Sequence, residues 1–312
     1  MLTLEPIGPE RAQTAQALVH AAFAPLLEIY QDHATSPANK PLERFERALA
    51  REDSDGYLIT LDAAPIGYVR VDRCAPGVYF LSDLCILPAF QNRGYAQQAI
   101  RQLEARYPDA QAWCLVTIRQ EARDCHLYEK LGYVCLGETQ QVNDRMTLVF
   151  FFKPALPGLR IRPLRADDFE AARVLYRQVH ALHAESRPDI YAQADFFDRA
   201  FFEALASPAD GTTLAAEADG RAVGLCALKW RTSAPISLLQ PRRFAFIDDL
   251  CVDTAYQRRG IGRMLMTAAA MLSHARGLQS MELNVWHFNQ NALRFYESLG
   301  MTRMRMQLEM KL

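Results

Sequence analysis

Apolar positions along this chain fall into two rhythms, every third or fourth residue in some stretches and alternating or continuous in others, with polar turns between them. In the second half, Ala172, Leu175, Val179 and Leu182 share one face of a helix predicted over 168–185, and a second helix is predicted over 195–205. Strands follow over 212–218 and 222–231, joined at Asp219-Gly220, a dipeptide suited to a two-residue hairpin turn. An apolar strand over 244–252 leads into a helix from Gly260 or Ile261 to Arg276. A strand over 278–285, a helix over 289–299 and closing strands within 301–310 complete the series. The first half repeats the order, with strands over 57–62, 66–73, 78–87, 112–118 and two or more within 133–152. Its helices are predicted over 10–28, 41–51, 95–106 and 121–131. Strands interleaved with helices predict an α/β (α+β) fold, a mixed sheet with helices on its faces.

The shared order is matched by shared residues. Asp83-Leu84-Cys85-Ile86 and the following Ala89-Phe90-Gln91-Asn92-Arg93-Gly94 align with Asp249-Leu250-Cys251-Val252 and Ala255-Tyr256-Gln257-Arg258-Arg259-Gly260, 166 residues later. Leu127-Tyr128-Glu129-Lys130-Leu131-Gly132 aligns with Phe295-Tyr296-Glu297-Ser298-Leu299-Gly300, 168 residues later. Two blocks in one order at nearly one offset mean two copies of one domain, because the period is far too long for a solenoid. The break falls near Lys153-Pro154-Ala155-Leu156-Pro157-Gly158, where two prolines and a glycine stop helix and strand alike. The expected domains are therefore 1–155 and 156–312, opening with the strands Met1–Leu4 and Leu159–Leu164.

Composition narrows the classes. Half of the 312 residues are hydrophobic and 23% are charged, which suits packed domains and excludes a disordered chain. Lys and Arg number 35 against 36 Asp and Glu, so the overall excess of positive charge that a nucleic-acid binder needs is missing. No apolar run reaches the roughly 18–20 residues of a membrane span, and Met1–Pro6 lacks the pattern of a secretory signal. The seven cysteines form no C-x-x-C pair, so reduced thiols in the cytoplasm are expected, and no metal site.

The candidate chemistry sits where each apolar strand meets a helix. Gln257-Arg258-Arg259-Gly260-Ile261-Gly262 and Gln91-Asn92-Arg93-Gly94-Tyr95-Ala96 place small residues at a helix start. There the unpaired first-turn N–H groups and the helix dipole favour an anion such as a pyrophosphate. Neither a P-loop, which needs Gly-Lys-Ser/Thr, nor the G-x-G-x-x-G fingerprint is present.

The pattern Q-x-x-G-x-G/A after an apolar strand, followed by a helix ending in Y-E-x-L-G, resembles the GNAT superfamily of acyl-CoA-dependent N-acetyltransferases. The resemblance covers the chain twice. It implies two tandem domains, each a mostly antiparallel sheet splayed open between its fourth and fifth strands, with acetyl-CoA in the gap. It implies that the backbone N–H groups of Arg259, Gly260, Ile261, Gly262 and Arg263 hold the CoA pyrophosphate, with Gln257 and Arg258 also among the cofactor-binding residues. It further implies that Leu250, Cys251 and Val252 pair with the pantetheine arm, one of their N–H groups polarising the thioester carbonyl. Asn289 would touch the arm, and Tyr296 would stand by the sulfur as proton donor. In the first copy the matching residues are Leu84, Cys85, Ile86, Gln91, Arg93, Gly94, Tyr95, Ala96 and the catalytic candidate Tyr128. Glu121 stands there in place of Asn289, and Asp124 in place of Ala292. The resemblance also covers two-domain members, mycothiol synthases among them, in which one copy carries the chemistry, although no feature here ties the chain to mycothiol.

A protonated amine must lose a proton before it attacks a carbonyl, so a carboxylate base is required. Asp248, Asp249 and Glu282 are the candidates. Alternation puts Asp248 and Asp249 on opposite faces without fixing which meets the acceptor, and Asp249 is ranked the weaker. The acceptor is expected against the first two helices of each copy: His180, His183, Glu185 and Asp189 in the second, Glu28, Asp32 and His33 in the first. The expected function is acetyl transfer from acetyl-CoA to a primary amine of a small molecule, chiefly in the C-terminal copy. The alternatives are a CoA-binding module without transfer and an enzyme acting on a protein N-terminus or lysine. No nucleic-acid or membrane partner is expected. A monomer is preferred, because two copies in one chain can reproduce the pairing of single-domain homodimers.

Overall fold

A computed structural model describes residues 1–234, 237–238 and 240–310. The chain divides into two compact units, Met1–Pro163 with Glu217–Asp219, and Leu164–Ala216 with Gly220–Leu312.

The first unit is built on a seven-stranded sheet. Its strands are β1 (Leu2–Ile7), β2 (Ser54–Leu61), β3 (Ala64–Ala75), β4 (Val78–Ile86), β5 (Ala112–Ile118), β6 (Val134–Gln141) and β7 (Thr147–Pro154), in the order β1-β2-β3-β4-β5-β7-β6. All neighbours are antiparallel except β4 and β5. Helices α1 (Ala12–Tyr30), α2 (Leu42–Leu49), α3 (Tyr95–Arg106) and α4 (Ala122–Lys130) cover it. Leu58 and Tyr68 pack with the α1–α2 cluster, whereas their neighbours Ile59 and Val69 pack with Ala99, Ile100 and Leu103 of α3. Successive residues point to opposite faces, so strands with helices on both sides need apolar residues at every position. The continuous apolar runs of the sequence have this cause.

β4 and β5 pair only from Val78–Ala112 to Leu81–Leu115. Beyond that point β4 runs on to Ile86 and β5 to Ile118 without bonding, and the sheet is splayed. A register shift between Tyr68 and Arg70 marks a bulge in β4, where Asp83 takes a positive φ of 53°.

The second sheet has five strands: β8 (Arg160–Pro163), β9 (Gly211–Ala218), β10 (Arg221–Thr232), β11 (Arg243–Val252) and β12 (Met281–Leu283), in the order β12-β11-β10-β9-β8. Its helices are α5 (Phe169–Ser186), α6 (Arg199–Ala206), α7 (Ile261–Ala275) and α8 (Gln290–Ser298). Asp219 and Gly220 have φ of 51° and 75°, the two positive values that the hairpin turn requires. β10 and β11 are antiparallel with a bulge at Asp248, and β11 pairs in parallel with β12 only over Ala245–Ile247. This sheet too is splayed beyond Ile247.

Two expectations fail in the second copy. The strand expected over 278–285 shrinks to three residues, and 301–310 forms no strand. In the first copy the apolar run Val149–Phe152 lies buried in β7 against β5. In 301–310 single apolar residues alternate with polar or charged ones, and Met304, Met306, Leu308 and Met310 are exposed. Ion pairs hold this segment instead, Arg303 to Glu297 at 3.0 Å and Arg187 to Glu309 at 2.9 Å.

Candidate active site

The two strand–helix junctions are built alike. Gln91 donates its side-chain amide to the Ile86 carbonyl at 2.9 Å, and Gln257 donates to the Val252 carbonyl at 3.1 Å. Each glutamine thereby braces the turn against the end of its strand. Asn92 and Arg258 follow with φ of 62°, then Gly94 and Gly260 with φ of 77° and 81°. Gly94 and Gly260 are the N-caps of α3 and α7, and neither helix receives a side-chain cap. The first-turn N–H groups are therefore left for a ligand. A Cβ placed on Gly94 would meet nothing within 4 Å, whereas one on Gly262 would press on the Phe295 ring at 3.3 Å. Space at Gly94, and the arginines that the two turns carry (Arg93, Arg258, Arg259, Arg263), suit a pyrophosphate.

Backbone direction in the splayed strands follows from their ends. Asp253 donates its N–H to Val223, and Leu87 donates to Ile66. Alternation then turns the N–H groups of Leu250 and Val252, and of Leu84 and Ile86, toward the open side. Cys251 and Cys85 turn theirs toward β10 and β3, and their side chains are buried. Burial pushes the Cys85 thiol up to about 12.

The three candidate carboxylates have different surroundings. Asp248 is paired with Lys229 and lies 3.1 Å from Arg231. Glu282 is paired with Arg242. Asp249 turns to α5, where it accepts the Tyr176 hydroxyl hydrogen at 2.8 Å. Burial raises the Asp249 carboxyl above the ordinary carboxylate range, and the Tyr176 hydrogen bond partly opposes this. Asp83, the counterpart of Asp249 in the first copy, is instead paired with Lys40 and lies 3.8 Å from Arg70.

Tyr296 lies on α8 beside Phe295, and burial drives its phenol above its usual range. Asn289 is the N-cap of α8, its side-chain oxygen accepting from Ala292 at 3.1 Å. In the first copy Glu121 accepts the Tyr30 hydroxyl at 2.6 Å, and Tyr128 is buried against Tyr133 and Phe151.

The expected acceptor residues are only partly gathered. His183 stacks on Tyr191 with ring centroids 5.0 Å apart, and His180 bonds the Ala192 carbonyl at 2.8 Å. Burial and the neighbouring His180 lower the His183 pKa, and Asp249 opposes this. Asp189 pairs with Arg187 and Glu185 is exposed. In the first copy Asp32 is buried and holds Thr35, while Glu28 and His33 are exposed. Sequence reasoning missed Tyr176, which sits in the apolar stripe of α5 between Ala172 and Val179 and reads there as core. It also missed Trp286, whose indole N–H donates to Tyr191 at 2.8 Å. Among the described residues no group of three His, Cys, Asp or Glu is set to hold a metal ion, and no helix is long and apolar enough to cross a membrane.

The Acetyltransferase (GNAT) family profile matches residues 23–133 and again 176–301. The chain belongs to the GNAT acetyltransferase family. This GNAT protein is an acyltransferase of the acetyl-CoA-dependent class. It is 27% identical to a mycothiol acetyltransferase of Sanguibacter keddieii over 97% of this chain and 94% of that one. It is 28% identical to an uncharacterised N-acetyltransferase of Methanocaldococcus jannaschii over 45% of this chain and 59% of the relative. Among solved structures, a Bacillus halodurans protein aligns with a TM-score of 0.48 and 28% identity, over 49% of this chain and 99% of that one.

Proposed function

We propose that this GNAT protein transfers an acetyl group to a primary amine of a small molecule by direct attack, chiefly in its C-terminal copy. The observation that carries the choice of copy is the contrast between Asp249 and Asp83. Asp249 is half-buried, its side-chain hydrogen bond among the described residues comes from a phenol, and its proton affinity is raised, as a base working near neutral pH requires. Asp83 is engaged by Lys40, and Asp248 and Glu282 are likewise engaged by cations.

The residues fit acetyl-CoA at both junctions. Gln257 would brace the turn, and Arg258, Arg259, Gly260, Ile261, Gly262 and Arg263 would hold the pyrophosphate. Leu250 and Val252 would offer backbone groups to the pantetheine arm beside the buried Cys251, with Asn289 at the mouth of the cleft. Bound acetyl-CoA supplies an activated acetyl thioester. Asp249 takes the proton from the incoming ammonium, directly or through water, and Tyr176 keeps its carboxylate oriented. An N–H at the open edge of β11 holds the negative charge that grows on the carbonyl oxygen. Tyr296, protonated at neutral pH, returns a proton to the departing thiolate. In the first copy Leu84, Cys85, Ile86, Gln91, Arg93, Gly94, Tyr95 and Ala96 repeat the cradle and Tyr128 repeats the phenol. With Asp83 engaged, that copy contributes binding more than turnover.

Similarity over nearly the whole chain to a mycothiol acetyltransferase supports a small metabolite as acceptor in preference to a protein. The test is thiol release from acetyl-CoA across a panel of small amines, with Asp249→Asn and Asp83→Asn compared side by side. Activity lost in the second variant and kept in the first would reverse the assignment of copies. No release with any amine would favour the module without transfer.

A further inference from the structure

The side chain of Lys40 is anchored at its base and paired at its tip. Lys40 lies two residues before α2, and its backbone carbonyl accepts from Gln16 of α1 at 3.1 Å and from His20 of α1 at 2.8 Å. Its N–H donates to the Pro37 carbonyl at 3.2 Å. From this fixed turn the side chain runs to an ion pair with Asp83, whose side chain is only 8% exposed. Lys40 and Asp83 line the cleft between the splayed ends of β4 and β5 together with Leu84 and Tyr128.

No lysine stands at the corresponding place in the second copy. Two residues before α6 lies Phe197, buried with its ring centroid 5.1 Å from that of Tyr176. The aligned carboxylates therefore differ in what they hold, Asp249 a phenol and Asp83 a primary amine. In the first copy that amine rests on the counterpart of the proposed base, one residue before the Leu84 N–H that turns to the open side. An acceptor amine would have to stand in the same place.

We propose that Lys40 is a self-modification site, its Nζ taking one acetyl group from acetyl-CoA in the first cradle of the same chain. This chemistry rests on the reading that the first cradle holds acetyl-CoA. The Lys40 ammonium gives one proton to Asp83, and the freed lone pair forms a C–N bond to the acetyl carbon as the C–S bond breaks. A second proton leaves the nitrogen as the amide forms. The departing thiolate takes one proton, and the other passes to solvent. Arg70, 3.8 Å from Asp83, stays as a counter-charge when Lys40 loses its own. The event occurs once per chain, because the amide nitrogen is uncharged and no longer nucleophilic. A merely structural ion pair has the opposite effect. It shields the amine, and Lys40 would then react more slowly than the exposed Lys130.

Incubation of the full-length protein with acetyl-CoA and no added amine tests it, read by intact mass and by peptide mapping over the five lysines of the chain. Lys40 gains one acetyl group at least tenfold faster than Lys130, at a rate per chain that does not change with protein concentration. Asp83→Asn slows this at least tenfold, and Gly94→Val abolishes it. Lys40→Arg, which keeps a cation at Asp83, gains none there and still binds acetyl-CoA with the parent's stoichiometry in calorimetry. If Gly94→Val removes an acetyl-CoA site seen in the parent, yet Lys40 is modified no faster than Lys130, the self-modification is overturned and the reading of the cradle stands. If no acetyl-CoA site responds to Gly94→Val, both are overturned. A rate that rises with protein concentration, or that is lost with Gly260→Val and kept with Gly94→Val, assigns Lys40 to another active site and overturns the proposal as well.

Discussion

Tyr176 donates its hydroxyl hydrogen to Asp249 at 2.8 Å, linking the first long helix of the C-terminal copy to its splayed central strand. The bond favours the ionised carboxyl, while burial favours the protonated one and is the larger effect. For a base, kcat/KM should fall as pH drops through this raised pKa. Tyr176→Phe removes the opposing influence, so the acid limb of the pH–rate profile should move to higher pH. An unmoved limb would separate Asp249 from the base role.

The same shift has a consequence for stability. A carboxyl whose folded pKa lies above its unfolded value binds more protons when folded, so stability falls as pH rises through that interval. Asp249→Asn should therefore be more stable than the parent at pH 7 and lose that advantage in acid. Thermal melting at pH 3 and pH 7 checks the sign.

Tyr296→Phe keeps the ring and removes the proton donor. A fall in kcat on the order of 100-fold, with KM for acetyl-CoA nearly unchanged, is expected from the usual worth of general acids. Turnover at the parent rate would leave Tyr296 a packing residue.

Gly260 and Gly94 hold φ values of 81° and 77° where side chains are strained, at the starts of α7 and α3 proposed to face the CoA pyrophosphate. Gly260→Val should abolish one acetyl-CoA site and Gly94→Val the other. Calorimetric stoichiometry in each variant separates the two, and a parent with a single site lost only with Gly260→Val would leave the first cradle empty of CoA.

Ala63 follows Asp62 in the hairpin between β2 and β3 with a φ of 69°, a conformation that costs a Cβ energy. Ala63→Gly should stabilise the N-terminal unit by about 1 kcal/mol. Urea denaturation with an unchanged slope checks it.

The strand–helix junctions could be read from sequence because their geometry is local. Gln, an αL residue, a glycine and a helix start lie within a few residues, and the glycine's freedom of φ is an intrinsic property. The duplication was equally plain, since matched residues at one offset need no coordinates. The helices and inner strands of both copies followed from periodicity, because burial on one face or two leaves its mark on every turn. The closing strands of the second copy did not follow. The alternation in 301–310 specifies a strand only where a neighbour supplies the ladder, and among the described residues none does. The partners of the carboxylates were also beyond sequence. Asp249 and Asp83 align, yet one meets Tyr176 and the other Lys40, from helical and loop segments far away in the chain. Their difference in character is set by desolvation and by the charge of whatever packs above, and only the folded chain brings those groups within a few ångströms.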